Sequence, residues 1–291
     1  MSAGKAAWIG LGNMGYPMAG YLHKAGWNVT VYNRSSPKAE AWVREYGGAA
    51  APTPAEAAKG ADIVGVCVGN DDDLRAVTLG PTGALAGMKK GAILCDHTTA
   101  SAKIAREIGQ AAKKAGIAFL DAPVSGGQEG AKKGILTIMV GGEAKAFKKA
   151  EAAMRSYGRA VTLMGPVGSG QLTKMVNQIC CVGAIQALAE AMNFAARAGL
   201  NGHKVVDAIS KGAAQSWQME NRGKTMLDGK FDFGFAVDWM RKDLGIVLEE
   251  ARQNGATVPA TAVIADFFSR LQARGEGRLD NSALIRLLTQ P

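Results

Sequence analysis

The order of apolar and polar positions along the chain changes character once. In the first half, short apolar runs at residues 6–9, 28–32, 62–68, 92–95, 118–120, 136–140 and 161–164 read as strands. Ala- and Lys-rich stretches at 14–24, 37–46, 102–115 and 144–155 lie between them and read as helices. Alternation of this kind predicts an α/β fold with a parallel sheet covered on both faces by right-handed crossovers, the doubly wound class. It stops at Gly165-Pro166-Val167-Gly168-Ser169-Gly170, a run of chain breakers after which no convincing strand follows. From 171 to about 198 the pattern is one long helix, apolar on nearly all faces and so expected to be buried. Further helices at 204–210, 216–226, 238–254 and 259–274 make the second half essentially all helical. Two domains are expected, residues 1–165 and residues 166–291, the second beginning with the long interdomain helix.

The turn between the first strand and the first helix reads Gly10-Leu11-Gly12-Asn13-Met14-Gly15. In that setting each glycine has a separate task. Gly10 permits the tight turn, Gly12 leaves room for a pyrophosphate to approach backbone, and Gly15 lets the helix pack closely on the sheet. The phosphates would then rest on N–H groups at the positive end of the helix. Residues 1–165 are therefore expected to form a Rossmann-type dinucleotide-binding domain. The second strand ends Tyr32-Asn33-Arg34-Ser35-Ser36, with no carboxylate where the ribose 2′-hydroxyl of NAD would want one. Arg34 offers a charged fork for a 2′-phosphate, with Asn33, Ser35 and Lys38 as supporting donors, so NADP is expected in preference to NAD.

Composition narrows the partners. Of the 291 residues, 47% are hydrophobic and 20% charged, ordinary values for a globular chain with a real core. Thirty-four basic against twenty-five acidic residues give a net charge of +9, which favours anionic ligands. The basic residues are scattered and only 6% of the chain is aromatic, which argues against a nucleic-acid interface. Cys67, Cys95, Cys180 and Cys181 fall in apolar runs without ligand spacing, so reduced, buried thiols and no metal site are expected. No signal-like segment opens the chain, and no stretch has eighteen uninterrupted apolar residues; the expectation is a cytoplasmic protein without a membrane partner.

Hydride chemistry on a hydroxyl needs a group that gives and takes a proton. Of the three histidines, only His97, after a strand, is placed to line a site loop. The segment Gly168-Ser169-Gly170-Gln171-Leu172-Thr173-Lys174-Met175-Val176-Asn177-Gln178 is more informative, because Lys174 and Asn177 share a helix face. A lysine in the first two turns of so apolar a helix would be desolvated and would feel the positive helix end, and both effects lower its pKa. The competing reading is a lysine that snorkels to the surface. In Asp121-Ala122-Pro123-Val124-Ser125-Gly126-Gly127, the Ser125 hydroxyl and the Gly126-Gly127 backbone offer donors to a small carboxylate; a plain glycine turn is the alternative. Lys242, in Arg241-Lys242-Asp243-Leu244, is by itself only an exposed charged turn.

Taken together, Gly10–Gly15, Asp121–Gly127, Gly168–Lys174 and Lys242-Asp243-Leu244 resemble, in order and spacing and across the whole chain, the four motifs of the β-hydroxyacid dehydrogenase family. That family includes 3-hydroxyisobutyrate dehydrogenases and semialdehyde reductases. The resemblance implies an NADP-dependent oxidoreductase that interconverts a small 3-hydroxy acid and its semialdehyde. It implies Lys174 as catalytic acid/base, Ser125, Gly126 and Gly127 as the seat of the substrate carboxylate, and Asn177 as helper of Lys174. It further implies Lys242 beside the nicotinamide, cofactor contacts along Val68, Gly69 and Asp73 and at Thr99, and a helical second domain that supports homodimers or homotetramers. Many relatives carry Asn four residues after the lysine, whereas Gln178 stands there and Asn177 lies one earlier, the order found in tartronate semialdehyde reductases. Asp96-His97-Thr98-Thr99 differs from the Ser-rich loop common in those enzymes. An imine reductase-like enzyme and a catalytically silent NADP-binding scaffold remain as alternatives on the same fold, and both typically lack the lysine.

Overall fold

A computed structural model describes residues 3–290 and divides the chain into two compact units, Met1–Lys174 and Met175–Pro291. The strands are β1 (Gly4–Ile9), β2 (Trp27–Tyr32), β3 (Ala49–Ala50), β4 (Ile63–Val66), β5 (Ile93–Asp96), β6 (Ala118–Asp121), β7 (Val124–Ser125), β8 (Leu136–Gly142) and β9 (Gly158–Gly165). The helices of this unit are α1 (Gly15–Lys24), α2 (Ser36–Tyr46), α3 (Pro54–Ala58), α4 (Asp71–Thr78), α5 (Ala84–Gly87), α6 (Ala102–Lys114), α7 (Gly127–Lys133) and α8 (Ala144–Met154). The division falls within α9 (Ser169–Arg197). Beyond it come α10 (Gly202–Ile209), α11 (Trp217–Leu227), α12 (Val237–Asn254), α13 (Pro259–Ala273), a 3-10 turn at Asn281–Ile285 and α14 (Arg286–Thr289).

The strands form one sheet in the order β3-β2-β1-β4-β5-β6-β8-β7, with β9 beside β8. From β3 to β6 every pairing is parallel, as the alternating pattern predicts. The far edge departs from that expectation: β8 runs antiparallel to both β6 and β7, and β9 is parallel to β8. The reason is the connection, since β7 and β8 are separated only by the short α7, too little chain for a full crossover. Strand order reverses between β1 and β4, and the carboxyl ends of these strands are where an open α/β sheet binds its ligand.

Period-two alternation divides the core. Trp8 of β1, Ile63 of β4 and Cys95 of β5 pack with Met18 and Trp42 on one face of the sheet. Ile9, Val64 and Leu94, their neighbours in sequence, pack with Ile104 and Ile108 of α6 on the other. A glycine at position 65 makes room for Trp8, whose indole would collide with any Cβ there.

The second unit is helical, around a core that includes Val182 and Ile185 of α9, Met240 and Leu244 of α12, and Phe268 and Leu271 of α13. Its α9 is less buried than its all-round apolar sequence led one to expect. Val176 and Phe194 are 60% and 72% exposed, and Cys180 is exposed as well; with Cys67 and Cys181 half-buried, the expectation of four buried thiols holds for Cys95 alone. Among the described residues α9 alone is long and apolar enough to cross a membrane, with mean hydropathy 1.5 over its most apolar stretch. Its buried positions nevertheless include Gln171, Lys174, Gln178 and Gln186, a polar set suited to packing against protein rather than lipid.

Candidate active site

The glycine turn sits at the carboxyl end of β1. Gly10 adopts φ +93°, and a Cβ there would collide with the carbonyl oxygen of Cys67, just past β4. A Cβ on Gly15 would collide with the carbonyl oxygen of Gly10. Gly12 differs from both: among the described residues nothing lies within 4 Å of where its Cβ would be. Among the described residues no side-chain cap bond is made at the start of α1, whose N-cap is Met14, and its first turn carries no acidic residue. A tight turn, an open position at Gly12 and an uncapped helix end fit the pyrophosphate of a dinucleotide. The N–H of Leu11 donates to Asn33 Oδ1 at 2.9 Å, and Asn33 Nδ2 donates to the carbonyl of Ser35 at 3.1 Å. Asn33, expected as a donor to the cofactor, thus ties the turn after β1 to the turn after β2. Ser35 is the N-cap of α2 but makes no side-chain cap bond. Arg34 is 89% exposed on its side chain and pairs loosely with Asp73, Nη1 to Oδ1 at 3.5 Å. Asp73 in turn donates its N–H to Asn70, the N-cap of α4.

The loops after β4 and β5 are joined by the N–H of Val68, which donates to Thr98 Oγ1 at 3.1 Å. Gly69 follows Val68 in the first of these loops, and Thr99 follows Thr98 in the second. His97 does not line a loop. It is buried, stacked on Trp8 with ring centroids 5.5 Å apart, its Nδ1 2.7 Å from the carbonyl of Ala122 and its Nε2 2.9 Å from the Tyr157 hydroxyl. Burial pushes its pKa down to about 4 against the opposing pull of the Ala122 carbonyl, so it is a neutral core residue at physiological pH. Asp96, its neighbour, is raised to about 7 by burial, with hydrogen bonds from Thr98 opposing the shift.

Ser125 closes β7 opposite Thr137 of β8, and the chain then turns through Gly126 and Gly127, both in the left-handed region at φ +129° and +61°. The Cβ position of Gly127 is open, as a backbone seat for a carboxylate requires. Four residues before Ser125, Asp121, fully buried, accepts the N–H groups of Gly168 at 2.7 Å and Gln171 at 2.9 Å. Its carboxylate caps the start of α9, although burial raises its pKa in opposition to those bonds. Lys174 lies in the second turn of α9 and is 7% exposed.

In the second unit, Asn177 Nδ2 donates to Gln178 Oε1 at 2.8 Å, and Gln178 Nε2 donates to Asp243 Oδ2 at 2.6 Å. Asp243, buried on α12, also pairs with Lys242 Nζ at 3.0 Å. Lys242 is therefore not a plain exposed charge. Gln171, Lys174 and Gln178 stand at i, i+3 and i+7 along α9, the one sequence signal that sets Gln171 beside Lys174, while the bond from Gln178 to Asp243 has no signal of this kind. Among the described residues no three His, Cys, Asp or Glu side chains come together to hold a metal.

Residues 5–165 match the family model of the NAD binding domain of 6-phosphogluconate dehydrogenase. Residues 168–288 match that of the NAD-binding domain of NADP-dependent 3-hydroxyisobutyrate dehydrogenase. An uncharacterized oxidoreductase of Shewanella frigidimarina is 59% identical, with 98% of each chain aligned. The 2-hydroxy-3-oxopropionate reductase of Escherichia coli is 33% identical over 98% of this chain and 97% of its own. The solved structure of Mycobacterium tuberculosis 3-hydroxyisobutyrate dehydrogenase with L-serine superposes with a TM-score of 0.89 at 30% identity, covering 99% of both chains.

Proposed function

The chain belongs to the β-hydroxyacid dehydrogenase family of NAD(P)-dependent enzymes acting on CH–OH groups, and we propose that it uses NADP to interconvert a small 3-hydroxy acid and its semialdehyde with Lys174 as acid/base. The observation that carries this reading is Lys174 itself, a buried lysine side chain in the second turn of a helix whose first turn is held by Asp121. When bound, the nicotinamide supplies or accepts the hydride. In reduction, Lys174 Nζ gives a proton to the carbonyl oxygen as the alkoxide forms; in oxidation, the neutral amine takes it back. Ser125 and the Gly126-Gly127 backbone hold the substrate carboxylate, and Asn177 helps orient Lys174 and the substrate oxygen.

Gly10, Leu11, Gly12, Asn13, Met14 and Gly15 would hold the pyrophosphate, and Arg34 the 2′-phosphate, with Val68, Gly69, Asp73, Thr99 and Lys242 as further cofactor contacts. Arg34 supports NADP because its fork is exposed and only loosely engaged by Asp73. The relative that is a 2-hydroxy-3-oxopropionate reductase and the one solved with L-serine, itself a 3-hydroxy acid, support the substrate class. Self-association as a dimer or tetramer belongs to the same reading, supported by the exposed apolar face of α9 at Val176 and Phe194. Light scattering on the purified protein tests it.

The decisive experiment for the chemistry follows NADPH oxidation with a panel of short semialdehydes in the wild type and in Lys174→Ala. Turnover is expected to fall by about 100-fold or more, with NADPH affinity changed by less than about twofold. Retained turnover in the variant overturns the role of Lys174, and no turnover on any member of the panel overturns the substrate class.

A further inference from the structure

Gln171 stands one helical turn before Lys174 on α9, and it is fully buried. Its side chain is used at both ends. Nε2 donates to the carbonyl oxygen of Thr98 at 2.7 Å, and Oε1 accepts the N–H of Ala100 at 3.1 Å. The amide therefore grips the backbone on either side of Thr99. That segment is fastened in turn: Thr98 Oγ1 accepts the N–H of Val68, and the N–H of Thr98 donates to Asp96 Oδ1 at 2.9 Å. On its helix side, the N–H of Gln171 donates to Asp121. One residue thus links three pieces of the chain: the loop after β5, the end of β6, and the start of α9 one turn before Lys174.

An amide at this place is a demanding choice. A leucine or methionine would fill a similar volume without polar atoms to satisfy, whereas a buried amide is tolerated only when both of its ends are paired. Two bonds of opposite polarity also fix more than one would. Donor and acceptor must both be met, so the α9 turn can neither slide along nor rotate about the Thr98–Ala100 segment without breaking one of them.

We propose that Gln171 is a positioning residue for proton transfer, holding the Lys174 turn of α9 in register with the Thr98–Ala100 segment. This rests on the reading of Lys174 as the acid/base and of Thr99 as a cofactor contact. Gln171 touches neither substrate nor cofactor in this account. It acts by keeping the proton-carrying Nζ and the cofactor-side backbone at a fixed offset, where a misplacement of about 1 Å costs on the order of 100-fold in rate.

The test compares Gln171→Leu with the wild type and with Lys174→Ala. In Gln171→Leu, kcat is expected to fall at least about tenfold, while substrate KM and NADPH affinity stay within about threefold. The solvent deuterium isotope effect on kcat should rise, because proton transfer becomes more limiting; a loss of folded protein alone would leave it at the wild-type value. In the protein without cofactor, amide hydrogen exchange should quicken in residues 98–100 and 169–174 together. If Gln171→Leu does not fold, Gln171→Glu carries the same measurements, since it keeps the acceptor for Ala100 and loses the donor to Thr98. Wild-type kcat in a folded variant, an unchanged isotope effect, or unchanged exchange in either segment overturns the proposal. Should Lys174→Ala retain turnover, the acid/base reading fails first. Should Lys174→Ala be inactive while Gln171→Leu turns over normally, only the positioning role fails.

Discussion

The carbonyl oxygen of Gly10 occupies the space that a side chain on Gly15 would need. Gly12, midway between them, has open space on its Cβ side. Two glycines of one motif therefore separate by experiment. Gly15→Ala should destabilise the protein by roughly 1–3 kcal/mol, because backbone must move to admit the methyl. Gly12→Ala should leave the melting temperature within about a degree or two, yet weaken NADPH binding at least about tenfold by filling the approach to the turn. Thermal melts paired with fluorescence titrations check both, and tight NADPH binding by Gly12→Ala would remove the pyrophosphate from this turn.

Arg34 gives a second separation. If its guanidinium meets the 2′-phosphate, Arg34→Ala should cost NADPH roughly 1.5–3 kcal/mol of binding free energy and leave NADH, which lacks that phosphate, nearly unchanged. The loose pair with Asp73 at 3.5 Å adds a corollary. Asp73→Asn removes a neighbouring carboxylate and should improve NADPH binding modestly, by at most about 1 kcal/mol at so exposed a pair. The ratio of kcat/KM for the two cofactors is the measurement, and parallel losses for both would place Arg34 elsewhere in the cofactor's surroundings.

Much of this was legible in the sequence because it is periodic or local. Among the described residues, seven of the nine strands come from apolar runs of the right length, and the glycine turn is recognisable because strand, turn and helix are adjacent in the chain. The two missed strands, β3 and β7, have two residues each and no period to detect. The antiparallel edge at β8 was missed because pairing direction depends on the length of α7, and that helix carries no apolar stripe. The most instructive misses are polar. His97 follows a strand and resembles a site residue in sequence, but its partners Trp8 and Tyr157 lie 89 and 60 positions away. Gln171 is the reverse case, because the carbonyl and N–H it grips at Thr98 and Ala100 are backbone groups more than seventy positions distant, which no residue type announces.

Asp280 was equally silent in the sequence. It is fully buried and accepts from Arg222 Nε at 3.0 Å, from the N–H of Phe235 at 2.9 Å, and from the N–H and hydroxyl of Ser282 at 3.0 and 2.6 Å. Removing the carboxylate strands several donors at once, one of them a guanidinium with 15% of its side chain exposed. Asp280→Ala should therefore destabilise the protein by about 3–5 kcal/mol. A shift of less than 1 kcal/mol in urea denaturation would show that water replaces the carboxylate freely.

Asp96 and His97 are neighbours in sequence whose burial acts on stability with opposite signs. The Asp96 carboxyl is raised to about 7 from 3.8, chiefly by burial, so between those values the folded protein holds a proton that the unfolded chain has released. Stability from this group is greatest at low pH and is lost as pH rises toward 7. The His97 imidazole is pushed down to about 4 from 6.5, again by burial, so the unfolded chain holds the extra proton over that interval. Its contribution is present above pH 6.5 and is lost as pH falls toward 4. From pH 4.5 to 6.5 the two slopes oppose one another, and single variants should unmask them. Relative to wild type, Asp96→Asn should become more stable with rising pH and His97→Gln less stable, each by up to about 1.4 kcal/mol per pH unit. Asp121 and Asp71, the carboxylates that act on Asp96, are retained in both variants, so differences from wild type isolate the substituted group. Urea denaturation at half-unit pH steps measures both slopes, and a slope near zero for either variant would mean that the substituted group is ionised inside the folded protein across this range.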